Sequence, residues 1–295
     1  MPGTGFRRAA CTVGLLVGLM GAPRDATAQT KPPPQDPPQD PPRDPPAQQA
    51  TPPAPAHTGL AAVFHATIDD FVAFPQRKST WAILGAGAGG ALAVHQFDSS
   101  INAHLAGNPT VSRIFAPGKY LGLGYVQIAG AIGTYVVGRY VMDPDPTIGP
   151  HTNKVAHIGF DLLRAQILTQ TFTYTMKAIG QRSRPDGSCC SFPSGHASTT
   201  FATAAVLERH FGLRGAWPTM LIASYVAASR LHDNRHFASD VIFGAALGTA
   251  VGWTVVGRHG HTNYALLPVP VKGGVAVTLV RLPASPARQG RVRSR

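Results

Sequence analysis

The sequence is poor in charge, cysteine and acidic residues. Only 14% of its 295 residues are charged, where about a quarter is usual, and 44% are hydrophobic. That balance excludes wholesale disorder and leaves room for a membrane link. Three cysteines exclude a disulfide-stapled mini-fold. Fourteen acidic residues face 26 basic ones, for a net charge of +12. The excess is concentrated: residues 258–295 hold seven basic residues and no acidic one. Such a tail suits nucleic acid or anionic lipid. No aromatic is interleaved with Arg288, Arg291, Arg293 and Arg295, so the tail reads as solvated and the chain is not a nucleic-acid binder.

Four segments follow from composition. Residues 1–28 read as an export signal: Arg7 and Arg8 precede the uncharged run Ala9 to Ala22, and Ala26-Thr27-Ala28 is a small-x-small cleavage site. Cys11 would leave with the signal. Residues 29–58 are a spacer, with 12 Pro in the 24 positions 32–55, which predicts polyproline II and no folded element. Residues 59–257 are helical in pattern. Apolar stretches run over 60–74, 80–97, 121–142, 155–177, 195–212, 216–231 and 238–257, punctuated by Gly and Pro. The fold expected is all-α, a bundle of about six core helices. Strand-like alternation appears only in 258–295, where Tyr264 to Val269 and Val275 to Leu282 flank Lys272-Gly273-Gly274 and predict a small β-hairpin.

Three blocks carry chemistry. The first runs from Lys177 to Arg184 and Pro185. The second is Pro193-Ser194-Gly195-His196, opening an apolar helix. The third is Ser229-Arg230, then His236 and Asp240. A phosphate monoester carries about two negative charges at neutral pH. Lys177, Arg184 and Arg230 suit that charge, and guanidinium forks match phosphate oxygens bidentately. Ser194 and the Gly195 amide fall at a helix start, where free N–H groups and the positive end of the dipole favour an anion. His236 and Asp240 are four positions apart. On one helix face the carboxylate would fix the imidazole tautomer and leave the other nitrogen free to attack phosphorus. His196 is then the acid that protonates the leaving alcohol. No Asp/Glu cluster suggests a metal, so the expectation is a site with no metal and no cofactor. Each block has an ordinary reading: a single His is usually a core residue, Arg230 a helix cap, Pro-Ser-Gly a turn. Together they fix eleven residue types in one order at helix ends, which favours a phosphate site.

These blocks resemble the signature of the type 2 phosphatidic acid phosphatase family, in the superfamily shared with vanadium-dependent haloperoxidases. The resemblance covers residues 60–257 and fills every signature position. It implies an all-α bundle with a metal-free histidine phosphatase site, His236 as nucleophile, Asp240 as its partner, His196 as acid, and Lys177, Arg184, Ser194, Gly195 and Arg230 as the phosphate clamp. The substrate expected is a phosphorylated small molecule or a lipid phosphate. Vanadate would be a cofactor only if the chain were a haloperoxidase. Those proteins are usually much larger between the second and third blocks, whereas here Ser229 follows His196 by only 33 positions. A non-catalytic headgroup-binding envelope protein is the third reading, and it has no use for both histidines. His232 and Arg235, inside the third block but outside the signature, are expected to face solvent, the alternative being that they line the pocket. Adjacent Cys189 and Cys190 are expected to be ordinary loop cysteines in preference to a strained vicinal disulfide or a redox pair, since a bond between neighbours is geometrically awkward.

Residues 121–138 and 241–257 lack charge and are long enough to span a bilayer. The stretch 155–177 carries His157, Asp161 and Arg164, which are costly in lipid unless they face the bundle interior. With a cleavable signal and a Pro spacer ahead of it, the chain is expected to be an exported, periplasmic or envelope-associated bundle in reach of a membrane, the alternative being an integral membrane protein.

Overall fold

The computed structural model describes residues 55, 58–107, 109–149 and 151–257, together with the backbone alone of 263–271 and 274–282. The expected signal sequence, nearly all of the spacer and the basic tail lie outside the described residues.

Eight α-helices form the described body: α1 (Leu60–Gln76), α2 (Lys78–His95), α3 (Asp98–Leu105), α4 (Pro109–Leu121), α5 (Gly124–Val136), α6 (Lys154–Gly180), α7 (Gly195–His232) and α8 (Ala238–Val256). The all-α expectation holds, with two more helices than expected. Short α3 and α4 have no continuous apolar run; α3 is Asp-Ser-Ser-Ile-Asn-Ala-His-Leu, and α4 carries Pro117. The two stretches expected at 195–212 and 216–231 are halves of α7, which kinks at Gly212 (φ 70°, ψ 169°). A π-turn, Val137–Val141, ends α5. Asn153 then starts α6, its side-chain oxygen accepting from the Ala156 amide at 2.8 Å while its amide nitrogen donates to the Gly138 carbonyl at 2.7 Å.

The core lies between α6, α7 and α8, where Leu168, Val206, Leu247 and Val251 are fully buried. Small residues set the spacing. Gly248 of α8 faces the backbone of α7 so closely that a Cβ there would fall 2.1 Å from the Ser198 carbonyl oxygen. One turn earlier the α7 N-terminus is tied directly to α8, the Ser194 amide donating to the Asp240 carbonyl at 3.0 Å. This contact brings the second and third blocks together.

The charged residues of α6 face inward. Arg164 donates to Asp70 Oδ2 at 2.6 Å and to Asp161 Oδ1 at 2.5 Å. Asp161 Oδ2 also lies 2.9 Å from His210 Nε2 and 3.4 Å from His157 Nε2. His157, Asp161 and His210 are the one metal-type constellation found among the described residues. The carboxylate accepts a hydrogen bond from His210 and lies in electrostatic contact with His157. Twenty positions along α6 separate His157 from Lys177, roughly 30 Å, so this cluster is remote from the three blocks.

Of the two uncharged runs, only α8 is by itself long and apolar enough to cross a membrane, and 67% of it is buried inside the bundle. The run from 121 is broken: Val111–Leu121 and Gly124–Val141 meet at a 56° bend.

Candidate active site

Four helix ends and two loops assemble the site. The last turns of α6 present Lys177, and Gln181, in the left-handed region (φ 40°), ends that helix. The loop that follows folds back on itself, the Cys190 and Ser191 amides both donating to the Arg182 carbonyl, at 3.0 and 2.7 Å. It then enters α7 through Ser194, whose hydroxyl accepts from the Ala197 amide at 3.4 Å. Arg230 lies in the last turn of α7, and Asp240 in the first turn of α8.

Lys177 Nζ donates to the Cys190 and Ser191 carbonyls, at 2.5 and 3.3 Å. Burial, with the Arg184 charge nearby, brings its pKa down to about 8. Gly195 sits against Lys177 and Thr173 with room for a methyl group. Arg184 Nε has no partner among the described residues, though it is buried. Beside Arg184, a cleft of about 370 Å³ is lined by Ser99, Asn102, Ala103, Pro185, Asn234 and Phe237. Arg230 is buried and is not free: its Nε donates to Ser229 Oγ at 3.2 Å and its terminal nitrogen is paired with Asp233. Asp233 was not singled out by the sequence.

His196 is held by α4, its Nε2 donating to the Lys119 carbonyl at 3.0 Å. Burial and the Arg230 charge depress its pKa to about 4. The close approach needs glycine at 122, where a Cβ would fall 2.6 Å from the His196 ring. His236 is buried, which lowers its pKa and keeps the ring neutral.

The expected helical pairing of His236 with Asp240 needs correction. His236 precedes α8 rather than lying on it, and its Nδ1 is 3.9 Å from Asp240 Oδ2, a close electrostatic contact but too long for a hydrogen bond. Ser191 bridges the two: its hydroxyl lies 3.5 Å from His236 Nδ1 and donates a short hydrogen bond to Asp240 Oδ2. Asp240 also accepts from the Phe237 amide at 2.9 Å and from Arg182 at 2.6 Å. Burial alone would raise the Asp240 pKa; contacts with His236, Ser191, the Phe237 amide and Arg182 outweigh it and hold the carboxyl below its ordinary range. Ser191 and Arg182 are part of the site and were missed, because their spacing to Asp240 is set by tertiary folding alone. Arg182 does sit among the cations of the first block, the one signal that could have flagged it.

Two further expectations change, those for His232 and for the adjacent cysteines. His232 is buried and not at the surface: its Nδ1 donates to the Leu105 carbonyl at 3.1 Å and its Nε2 meets Ser112 Oγ at 3.0 Å, joining α7 to α3 and α4. Arg235 does face solvent, where it pairs with Asp186 at 2.8 Å. Cys189 and Cys190 form a disulfide. Left-handed backbone at Cys190 (φ 74°) in the folded-back loop brings the two sulfurs together despite their adjacency. The Arg184 charge acts on Lys177, Arg230 and His236, and the Arg230 and Lys177 charges act on His196, so these residues named by the sequence do converge.

The profile of the PAP2 superfamily matches residues 121–263. A lipid A 1-phosphatase of Porphyromonas gingivalis is 45% identical over 75 residues, covering 24% of this chain and 17% of that protein. A decaprenylphosphoryl-5-phosphoribose phosphatase of Mycobacterium tuberculosis is 38% identical over 87 residues, covering 26% and 48%. The chain thus spans less than half the length of either relative. The crystal structure of a transmembrane PAP2-type phosphatidylglycerolphosphate phosphatase from Bacillus subtilis aligns over 65% of this chain and 94% of that one, at 20% identity and a TM-score of 0.44. Residues 121–263, the stretch that the PAP2 superfamily matches, hold all three blocks.

Proposed function

We propose that the chain is a phosphoric ester hydrolase that acts without a metal, through a phosphohistidine on His236. The observation that carries the reading is the buried, neutral His236, with Nδ1 turned toward Ser191 and Asp240 and the opposite nitrogen left for phosphorus, in a site that also gathers His196 and three cations. Lys177, Arg184 and Arg230 supply the positive charge that a metal supplies elsewhere. Arg230 leaves Asp233 to take a phosphate oxygen, and Ser194 with the Gly195 amide completes the cradle.

The reaction has two steps. His236 Nε2 forms a bond to phosphorus as the ester P–O bond breaks, and His196 gives its proton to the leaving oxygen. A water then attacks the phosphohistidine, with His196 taking the water's proton, and the P–N bond breaks to release phosphate. Asp240 stabilises the imidazolium-like ring throughout.

The substrate proposed is a lipid or prenyl phosphate, or a smaller phosphate monoester. The names of the two sequence relatives, which act on lipid A and on a decaprenyl phosphate sugar, support the lipid class. So does the surface, where Leu60, Phe64, Trp81, Leu92, Ile179 and Trp217 stand exposed. The signal-like segment and Pro spacer support export to the periplasm or envelope, with the bundle in contact with membrane. The alternation over 264–282 supports a hairpin appended to the bundle.

The test is phosphate release in excess EDTA from an aryl phosphate and from phosphatidic acid in detergent. Release that survives EDTA supports the reading, and the ratio between substrates reports the class. No release from either substrate overturns it.

A further inference from the structure

The Asp240 carboxylate has two oxygens, and the site explains only one of them. Oδ2 faces Ser191, the Phe237 amide and His236. Oδ1 is held by Arg182, at 2.6 Å, and that guanidinium is the centre of a larger assembly. The same nitrogen donates to Ser239 Oγ at 2.8 Å. The other terminal nitrogen donates to Asp98 Oδ2 at 2.9 Å and lies 3.2 Å from His95 Nδ1. The plane of the guanidinium rests over the Phe237 ring, 4.3 Å from its centroid.

Asp98, at the start of α3, is buried and fully used. Its Oδ1 accepts from the Ser239 amide at 3.0 Å, and its Oδ2 accepts from Ser239 Oγ at 2.5 Å as well as from Arg182. Asp98 therefore joins α3 to the first turn of α8, the turn that carries Asp240. Arg182 acts through its backbone too. Its carbonyl accepts the amides of Cys190 and Ser191, the residues whose carbonyls hold Lys177 and whose hydroxyl, at Ser191, reaches Asp240.

We propose that Arg182, backed by Asp98, is the positioning residue of this site, aiming Asp240 at His236 and fixing the loop that holds Lys177. Arg182 lies between the signature positions of the first block and Asp98 lies outside all three blocks, and neither acts on substrate. The short α3 earns its place in the fold as the source of Asp98. The proposal rests on the phosphatase reading and deepens it. Misplacing a catalytic group by about 1 Å costs about 10²-fold in rate, which sets the scale of the effect.

The experiment uses the full chain and four variants: Arg182→Ala, Arg182→Lys, Asp98→Asn and the double variant Arg182→Ala/Asp98→Asn. Thermal melts establish that each is folded. On a phosphate ester that the wild type hydrolyses, Arg182→Ala is expected to lose about 10²-fold in kcat with KM little changed. Its acid limb moves to higher pH, because Asp240, left facing His236, Ser191 and Lys177, has lost the guanidinium that favours its charged form. Arg182→Lys recovers part of the rate. Asp98→Asn loses less, and the double variant is no slower than Arg182→Ala, since Asp98 works through Arg182. A folded Arg182→Ala variant with wild-type kcat and an unmoved acid limb overturns the proposal. So does a loss confined to KM, which would place Arg182 on the substrate, or a double variant with the product of the two single losses. If Arg182→Ala does not fold, the Arg182→Lys and Asp98→Asn profiles decide by the same criteria. A wild type that releases no phosphate refutes the underlying reading instead, and the two failures are thereby distinct.

Discussion

Gly248→Ala tests the contact on which the site is built. In α8 the added methyl carbon would lie 2.1 Å from the Ser198 carbonyl oxygen, 2.8 Å from the Ala202 amide nitrogen and 2.9 Å from the Ser198 carbonyl carbon. All three atoms are backbone, so no side chain can swing aside, and the two helices must separate. Overpacking of this kind costs about 1–3 kcal/mol or more. Alanine's better helix propensity returns at most about 1 kcal/mol. The net is a loss of about 1–2 kcal/mol, or several degrees in Tm at about 2–4 °C per kcal/mol for a domain of this size. Separation should also stretch the Ser194–Asp240 backbone hydrogen bond, about two turns away along α8, and lower kcat. The assay is a thermal melt followed by circular dichroism, with phosphate release measured well below the transition. Gly133→Ala in α5 is the control: nothing lies within 4 Å of its Cβ position, so it should be neutral or stabilising. A Gly248→Ala protein as stable and as active as wild type would refute the α7–α8 packing described.

Other outcomes follow from the same geometry. Replacing Arg164 with Met takes the guanidinium from the buried Asp70 and leaves Asp161 with its histidines alone, which should cost roughly 3–5 kcal/mol in a thermal melt, while the surviving folded protein keeps its kcat because the cluster is remote from the site. Asp233→Asn releases Arg230 from its internal partner and should lower KM for a phosphate ester a few-fold; an unchanged or raised KM would remove Arg230 from the phosphate clamp. The pH profiles should separate. With its pKa near 4, His196 is a protonated acid in the free site only in acid solution, so the basic limb of kcat/KM lies low. A bound phosphate offsets the Arg230 and Lys177 charges that depress His196 and raises its pKa, so the basic limb of kcat should lie at higher pH than that of kcat/KM. Coincident limbs would argue against His196 as the acid.

The parts of the molecule legible in the sequence are those with local causes. Pro193-Ser194-Gly195 announces a helix start because capping is a short-range event, and the apolar runs of α6 and α8 are legible from their length. The helices α3 and α4 were illegible because eight and thirteen residues broken by polar groups and Pro117 give no pattern. At the site, the charge-bearing residues were visible as types at fixed spacing. Their supports were not. Ser191 meets Asp240 only because the loop folds back onto the Arg182 carbonyl, and Asp98 meets Arg182 from 84 positions away. The four-residue spacing of His236 and Asp240 suggested a shared helix face, yet α8 begins at Ala238 and Ser191 fills the gap. The Cys189–Cys190 bond depends on a left-handed residue that no local signal marks.

The most direct measurement is to trap the intermediate. The protein would be mixed briefly with a substrate labelled with ³²P in its phosphate, quenched in base, digested and mapped. The account predicts base-stable, acid-labile label on the peptide carrying His236, and none in His236→Ala, with phosphate binding by that variant retained. Label on another residue, label that persists in His236→Ala, or steady phosphate release by His236→Ala would contradict it.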